Sequence, residues 1–185
     1  MIDRCGRNID YLRISVTDRC NLRCIYCMPE KGIRLTEREK ILQEPEILRV
    51  CRVMAELGVK KIKITGGEPL VRAHIPSLIR QIKEIPGIEK VTLTTNGILL
   101  KEQMKELADA GLDSLNISLD TLDRECFHKV TRRDFLDGTL AGIGEAMKFP
   151  EVQLKINCVP LGLEEQNLCE IAEFAHHHPV HVRFI

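Results

Sequence analysis

The sequence has no excess of either charge and no long apolar run. Its 185 residues include 27 Lys and Arg against 27 Asp and Glu, so nothing in the composition suggests a polyanionic nucleic-acid partner. No apolar run approaches the roughly 20 residues of a membrane span, and the amino terminus lacks an apolar signal core. Internal repeats and low-complexity linkers are also missing. We therefore expect a single cytoplasmic domain with neither a membrane nor a nucleic acid as partner.

Cysteine, in contrast, is plentiful, and three of the eight cysteines lie close together. Cys20, Cys24 and Cys27 have the spacing C-x3-C-x2-C directly after a strand-like run. Without a secretion signal, cysteines are expected as reduced thiols or metal ligands. An odd number cannot close a set of disulfides, and a structural zinc site normally takes four protein ligands. Three thiolates on an iron–sulfur cluster would leave one iron open to a group other than protein.

Two other interpretations of these cysteines remain. Cysteines are often small core residues, which suits the five scattered ones better than three that lie among polar residues in one loop. A zinc module without redox chemistry is the second alternative, and the ligand count disfavours it. The pattern favours a cluster bound by Cys20, Cys24 and Cys27.

Strand-like and helix-like segments alternate along the chain. The strand candidates are residues 11–16, 60–65, 90–95, 113–119, 152–159 and 180–185. Helical spacing is found over residues 46–57, 75–84, 100–110, 124–130, 136–149 and 164–176. Six strands that alternate with helices predict an α/β fold with a parallel sheet and right-handed crossovers.

Each predicted strand has one apolar and one polar face. In the second strand, for example, Ile62 and Ile64 alternate with Lys61, Lys63 and Thr65. A full eight-stranded barrel would fill its interior with branched apolar residues. We therefore predict an open, incomplete barrel of six strands whose polar interior holds a ligand. A flat sheet with one solvated face is the alternative, but it does not explain why helices alternate with every strand.

The polar face also carries a positive charge. Five cations share it, against Asp120 and Glu68: Arg13, Lys61, Lys63, Lys155 and Arg183. Cations gathered in a concave site favour a polyanionic ligand such as a triphosphate. The segment 66–69 (Gly-Gly-Glu-Pro) follows the second strand and the segment 94–97 (Thr-Thr-Asn-Gly) ends the third, on the side where α/β sheets bind ligands. Alone, the first of these could equally be a plain strand-to-helix turn.

These motifs resemble the radical S-adenosylmethionine (SAM) superfamily, and more narrowly the GTP 3′,8-cyclases of molybdenum cofactor biosynthesis. The resemblance is carried by the three cysteines with Tyr26 before the last of them. It also includes the segments 10–24, 26–30, 64–70, 93–97, 115–122, 155–157 and 182–185. It implies one radical SAM core domain over residues 1–185, an open six-stranded (β/α)6 partial TIM barrel in which residues 1–10 form an N-terminal extension.

The resemblance also implies roles for individual residues. The ligands of a [4Fe–4S] cluster would be Cys20, Cys24 and Cys27. The residues that contact SAM would be Tyr26, Gly67, Glu68 and Ser118. The residues that bind GTP would be Arg13, Lys63, Thr94 and Lys155. Lys63 stands where the family commonly has Arg, so the charge is kept but the bidentate geometry is not.

The activity implied by the resemblance is that of a lyase. In the family, a reduced cluster splits SAM to methionine and a 5′-deoxyadenosyl radical, which removes the 3′ hydrogen of GTP. The ribose radical then attacks C8 of the guanine to form 3′,8-cyclo-7,8-dihydro-GTP. Because this chemistry belongs to the cofactor, we expect no conventional acid–base dyad. A flavodoxin- or ferredoxin-like protein would donate the electron, and a homodimer is expected.

The resemblance ends at residue 185, whereas family members continue into a region with three further cysteines for a second cluster. The remaining cysteines here show no C-x2-C spacing that would replace them. We therefore expect that the second-cluster region is absent and that GTP conversion is incomplete. The alternatives are a module that binds a cluster and SAM without converting GTP, and a radical SAM enzyme that acts on a peptide or another small molecule. An open barrel mouth would expose apolar surface, which predicts self-association.

Overall fold

A parallel sheet forms the centre of the fold. The computed structural model describes residues 2–185, and in that range six strands follow chain order across the sheet. The strands are β1 Tyr11–Ser15, β2 Lys61–Thr65, β3 Lys90–Thr95, β4 Ser114–Ser118, β5 Gln153–Cys158 and β6 His181–Phe184. Every neighbouring pair is parallel. The predicted strands are confirmed, each within one residue of its expected bounds.

Helices connect the successive strands. They are α1 Glu44–Glu56, α2 Ile75–Lys83, α3 Leu100–Asp109, α4 Arg124–Thr131, α5 Leu136–Ala146 and α6 Leu168–His177. Local hydrogen bonds fix their first turns: the Glu46 carboxylate accepts from the Gln43 N–H at 2.7 Å, and Asp123 accepts from the Cys126 N–H at 2.7 Å. Over residues 2–185, no helix has the length and apolar character needed to cross a membrane.

The hydrophobic core lies between the apolar face of the sheet and the helices. The strands contribute the fully buried residues Ile62, Ile64, Leu93, Leu115 and Ile117. The helices contribute the buried residues Leu78, Ile79, Ile82, Met104 and Leu107. Each such side chain stabilises the fold by about 1.5–3 kcal/mol relative to an exposed one. This one-sided core leaves the other face of the sheet to polar side chains.

The polar face of the sheet is concave. One cavity lies near the amino ends of the strands and is called the lower cavity below. Side chains from all six strands line it, from Tyr11 on β1 to Arg183 on β6. In a flat sheet, strands about 4.8 Å apart would separate β1 from β6 by roughly 24 Å. Lys63 on β2 also lies close enough to Arg183 for the guanidinium to lower the pKa of the lysine. The open partial barrel is therefore confirmed, and the flat-sheet alternative is wrong.

Candidate functional site

The three clustered cysteines line a second cavity, the upper cavity, at the carboxyl ends of the strands. Cys20, Cys24 and Cys27 form part of its wall, together with side chains that follow β2, β3 and β4. The loop turns tightly between the last two cysteines, where the N–H groups of Cys27 and Met28 donate to the Cys24 carbonyl at 2.9 and 3.1 Å. All three thiols are free; Cys20 and Cys24 are half-buried and Cys27 is exposed. The loop thus presents three sulfurs to a common space that opens to solvent.

The surroundings of these thiols disfavour the thiolate form. Burial, followed by the neighbouring Cys27 and Asp120, raises the pKa of Cys24 to about 12. Burial is also the largest cause that raises the pKa of Cys20 and the pKa of Cys27. Because metal ligation requires deprotonated thiols, loading of the site releases protons, and a bound cation would reverse these shifts.

The donor set fits a cluster better than a single ion. In residues 2–185, no three Cys, His, Asp or Glu side chains converge closely enough to hold one metal ion. The irons of a cluster occupy separate corners of a cube, so three thiolates that each bind a different iron need not meet at a point. Three sulfurs around one cavity match this requirement and leave a fourth corner for a group other than protein.

The turn after β2 packs directly against the cysteine segment. The Gly67 N–H donates to the Thr17 carbonyl at 2.7 Å, and the Glu68 N–H donates to the Arg19 carbonyl at 2.7 Å. A Cβ at Gly66 would lie 2.7 Å from the Thr17 carbonyl oxygen, and one at Gly67 would overlap the Arg19 carbonyl. Both glycines are therefore required for the close backbone approach that joins β2 to the segment preceding Cys20.

The Glu68 side chain is buried, and both of its carboxylate oxygens accept hydrogen bonds. Its carboxylate accepts from the Leu70 N–H at 3.0 Å, the Thr95 hydroxyl at 2.7 Å and the Asn96 N–H at 2.7 Å. Burial raises the pKa of Glu68, and the three donors oppose that effect. The carboxylate thereby links the turn after β2 to the end of β3, so its first role is to fix these two turns.

The end of β3 in turn holds the cysteine loop. The Asn96 side-chain amide donates to the Asn21 side-chain oxygen at 2.6 Å, and Asn21 directly follows Cys20. The Asn96 side-chain oxygen accepts from the Ile98 N–H at 3.1 Å, which fixes its orientation. Glu68, Asn96 and Asn21 therefore form a continuous chain of hydrogen bonds from β2 to the cysteines.

A second connection runs from the loop to the end of β4. The Tyr26 hydroxyl donates to the Asp120 carboxylate at 2.6 Å, and the Val159 N–H donates to the same carboxylate at 2.9 Å. Burial raises the pKa of Asp120, while the bonds from Tyr26 and Val159 lower it. The buried Gln166 amide donates to the backbone carbonyls of Asp120 and Val159, both at 2.8 Å. Asp120 thus has a fixed position opposite Tyr26.

The cations predicted for the barrel interior gather near the amino ends of the strands. Lys63, Lys155 and Arg183 all line the lower cavity. Burial, then the charges of Arg13 and Arg183, lowers the pKa of Lys63. Burial, then Arg183, Lys63 and Lys90, lowers the pKa of Lys155. Repulsion between the cations thus adds to the effect of burial, and an anion between them would relieve that repulsion.

The structure brings most of the predicted site residues together. The upper cavity is lined by the three cysteines and by Tyr26, Gly67, Glu68, Thr94 and Ser118. Lys63 and Lys155 line the lower cavity on the same face of the sheet. Arg13 lies outside both linings but pairs in register with Lys63 on the polar face. The roles assigned to these residues remain predictions.

Sequence reasoning missed several residues that shape the cavity. In the sequence Asp120 is recognisable only as a charge on the polar face, although it bonds Tyr26 across 94 positions of the chain. Asn96 lies in the Thr-Thr-Asn-Gly segment, and that position after β3 was the available signal for it. Asn21 directly follows Cys20 in the cysteine motif, which was the available signal for it, whereas Gln166 carries no such signal because its partner Asp120 is distant in sequence.

The fold and the cavity agree with the relatives of the chain. Residues 14–177 match the radical SAM superfamily. The chain belongs to this superfamily. SAM and a [4Fe–4S] cluster are the cofactors of radical SAM proteins, and the cavity with three cysteines offers the matching donors.

Individual radical SAM relatives are similar over the whole chain. Molybdenum cofactor biosynthesis protein 1 of Drosophila melanogaster is 47% identical over 100% of this chain, which covers 33% of that protein. GTP 3′,8-cyclase of Petrotoga mobilis is 45% identical over 100% of this chain, which covers 58% of that protein. The structure of Streptococcus suis SuiB bound to S-adenosylmethionine has a TM-score of 0.73 at 25% identity, over 95% of this chain and 38% of that one. The chain thus spans between one third and three fifths of these two curated relatives.

Proposed function

We propose that the chain carries the radical SAM core of a GTP 3′,8-cyclase of molybdenum cofactor biosynthesis. The observation that carries the proposal is the continuity of one concave face, with three cysteines at its upper end and a cluster of cations at its lower end. The similarity to proteins named GTP 3′,8-cyclase supports the choice of substrate. The whole domain, residues 1–185 with an extension at 1–10, is proposed as this core.

Cys20, Cys24 and Cys27 would hold the [4Fe–4S] cluster. Tyr26, Gly67 and Ser118 would contact SAM in the same cavity. When bound, the cluster and SAM supply the 5′-deoxyadenosyl radical. Glu68 lines the same cavity and would contact SAM as well, while its carboxylate accepts from three donors and fixes the turn that contains Gly67.

The lower cavity would bind the triphosphate of GTP. Lys63, Lys155 and Arg183 face one another there, and Arg13 lies beside Lys63 in register. Triphosphate oxygens accept charge-assisted hydrogen bonds from such groups. Thr94 lines the upper cavity and lies two residues beyond Thr92 on the polar face of β3, and Thr92 is paired in register with Lys63. We expect it to contact the nucleoside part of GTP.

The contribution of the protein would be positioning and exclusion of water rather than proton transfer. Phe127 and Val130 form an apolar part of the upper cavity wall. Asp120 is held by Tyr26 and Val159, and Glu68 is held by three donors. Side chains in such fixed positions can orient the bound groups, and reactants held in a reactive arrangement react faster.

The partners follow from exposed features of the site. Cys27 is exposed, so a cluster bound there would lie near the protein surface, within reach of a flavodoxin- or ferredoxin-like electron donor. A homodimer is part of the same proposal. We propose the cytoplasm as the location, where thiols stay reduced.

The decisive experiment is anaerobic reconstitution with iron and sulfide, followed by a 5′-deoxyadenosine assay with dithionite and SAM, with and without GTP. We expect GTP to increase 5′-deoxyadenosine release, with only incomplete conversion of GTP to the 3′,8-cyclo product. Release that does not respond to GTP would instead indicate a cluster- and SAM-binding module. If release increases only with a peptide or another small molecule, that compound rather than GTP would be the substrate. Uptake of zinc in place of iron and sulfide would overturn the proposal.

A further inference from the structure

The C-terminal end of α4 contacts the cysteine loop. The helix ends at Thr131, and Arg132 follows in the left-handed conformation, with φ 55° and ψ 25°. Non-glycine residues rarely adopt this conformation unless neighbouring contacts hold them there. Within residues 2–185, only His74 shares this property among residues other than glycine. The unusual backbone turns the chain so that Arg132 lies over the loop.

The Arg132 side chain bridges the two ends of the segment between Cys24 and Cys27. Its Nη1 group donates to the Arg23 carbonyl at 2.9 Å and to the Met28 carbonyl at 3.0 Å. Arg23 directly precedes Cys24, and Met28 directly follows Cys27. One guanidinium therefore closes the loop that carries two of the three sulfurs.

Backbone hydrogen bonds extend the same contact. The Arg23 N–H donates to the Thr131 carbonyl at 3.0 Å, and the Ile25 N–H donates to the Val130 carbonyl at 2.9 Å. These carbonyls belong to the last turn of α4, where they have no partner within the helix. The loop is thus fastened to α4 by four hydrogen bonds, two of which depend on Arg132.

We propose that Arg132 is a positioning residue for the cluster. It fixes the spacing of Cys24 and Cys27, and it places a permanent positive charge on the backbone of the loop that carries them. A fixed cation stabilises the reduced, more negative state of a cluster relative to the oxidised state. The inference rests on the proposed cysteine ligands, but no step of GTP conversion enters it.

The test compares three variants with the wild-type protein after anaerobic reconstitution. Arg132→Gln removes both the charge and the bridge. Arg132→Lys keeps the charge but replaces the guanidinium with a shorter side chain. Arg133→Gln is the matched control, because Arg133 is exposed and its guanidinium contacts the Arg132 carbonyl rather than the cysteine loop.

Two readouts separate a positioning role from general stability. The first is the rate at which an iron chelator removes the visible absorbance of the cluster. We expect about tenfold faster loss in Arg132→Gln, as for other residues that orient metal ligands, and an intermediate rate in Arg132→Lys. The second is the reduction potential, which should become more negative in Arg132→Gln and remain near the wild-type value in Arg132→Lys and Arg133→Gln.

The outcomes discriminate this inference from the proposed function. Equal chelator rates and potentials in wild type and Arg132→Gln would overturn the role of Arg132, even if GTP is converted. If Arg132→Gln fails to fold, Arg132→Lys provides the test. Loss of cluster absorbance to the chelator at the wild-type rate in that variant would refute the bridging role of Arg132. A wild-type protein that holds a cluster but does not respond to GTP would refute the proposed substrate alone. A wild-type protein that takes up no cluster would overturn both.

Discussion

The two ends of the barrel interior are built in opposite ways. At the carboxyl ends of the strands the buried charges are the carboxylates of Glu68 and Asp120, and each accepts hydrogen bonds from residues distant in sequence. At the amino ends the charges are cations such as Lys63 and Lys155, which repel their neighbours. The upper end is therefore fixed by hydrogen bonds before anything binds, whereas at the lower end an anion would relieve the repulsion between the cations.

This difference assigns different tasks to the two ends. A rigid loop with three sulfurs suits a cofactor that must stay in place through many reaction cycles, since ligand orientation determines metal affinity. A cluster of repelling cations suits a substrate that enters and leaves, because its binding is driven by charge and weakens in salt. Substitutions at the upper end should therefore affect cofactor retention and stability, and those at the lower end should affect substrate affinity.

The largest effect is expected for Cys24→Ser at the upper end. Removal of one of three thiolates should abolish a stable [4Fe–4S] cluster, because the loop offers no other cysteine in its place. Iron and sulfide content per chain and the visible absorbance after reconstitution measure the loss. Cys169→Ser is the matched control, because Cys169 is exposed on α6 and should leave the cluster intact. Full iron content in Cys24→Ser would contradict the proposed ligand set.

Lys155→Met should produce the next largest effect, this time at the lower end. Loss of a charged donor to phosphate costs about 1.5–3 kcal/mol of binding free energy, or roughly 10–100-fold in GTP affinity. The free energy of unfolding without ligand should stay the same or rise, because the variant removes repulsion from Arg183 and Lys63. Isothermal titration calorimetry with GTP and urea unfolding measure the two quantities.

The control for Lys155→Met is Lys101→Met, at an exposed position on α3, which should change neither quantity. A Lys155→Met protein that is clearly less stable yet binds GTP normally would reverse the comparison. In that case the lower end would be a structural element rather than a substrate site.

Glu68→Gln tests the rigidity of the upper end. The side-chain nitrogen of a glutamine cannot accept a hydrogen bond. It would therefore face donors that now bond the carboxylate, which are either the Asn96 N–H or the pair formed by the Leu70 N–H and the Thr95 hydroxyl. An unsatisfied buried donor costs about 1–3 kcal/mol, so the free energy of unfolding should fall by that amount. Urea unfolding at pH 7 measures the loss, with Glu151→Gln at an exposed position as the control.

The pH dependence of the same variant has a defined sign. Because burial raises the pKa of Glu68 above the ordinary 4.5, the native state binds more protons than the unfolded state between those two pKa values. The free energy of unfolding contributed by Glu68 should therefore decrease as the pH rises from 4.5 through the pKa of the folded protein. Subtraction of the Glu68→Gln profile from the wild-type profile isolates this slope, and a difference with the opposite slope would show that the three donors outweigh burial.

The sequence predicted the fold and the linings of both ends, but not the contacts that make the upper end rigid. Period-two alternation within each strand, such as Ile62 and Ile64 against Lys63, is a local signal, so the strands and the polar interior could be inferred from it. The bonds from Tyr26 to Asp120 and from Arg132 to the cysteine loop join residues that are 94 to 109 positions apart. They depend on how the turns after the strands meet, and no local pattern encodes that arrangement.

The smallest effect, and the sharpest test of the lower end, is expected for Lys63→Arg. The substitution keeps a cationic side chain, so GTP affinity at pH 7 should change by less than about 1 kcal/mol, with a modest gain if the guanidinium bonds a phosphate in bidentate fashion. The two proteins should diverge at alkaline pH. Burial and the charges of Arg13 and Arg183 lower the pKa of Lys63 from 10.5, so the wild type loses this charge at a lower pH than an ordinary lysine would. Since Arg stays protonated, GTP affinity measured between pH 7 and pH 10 should fall more steeply for the wild type than for Lys63→Arg. Parallel pH profiles would mean that Lys63 does not meet the anion, and the triphosphate would then have to lie nearer Lys155.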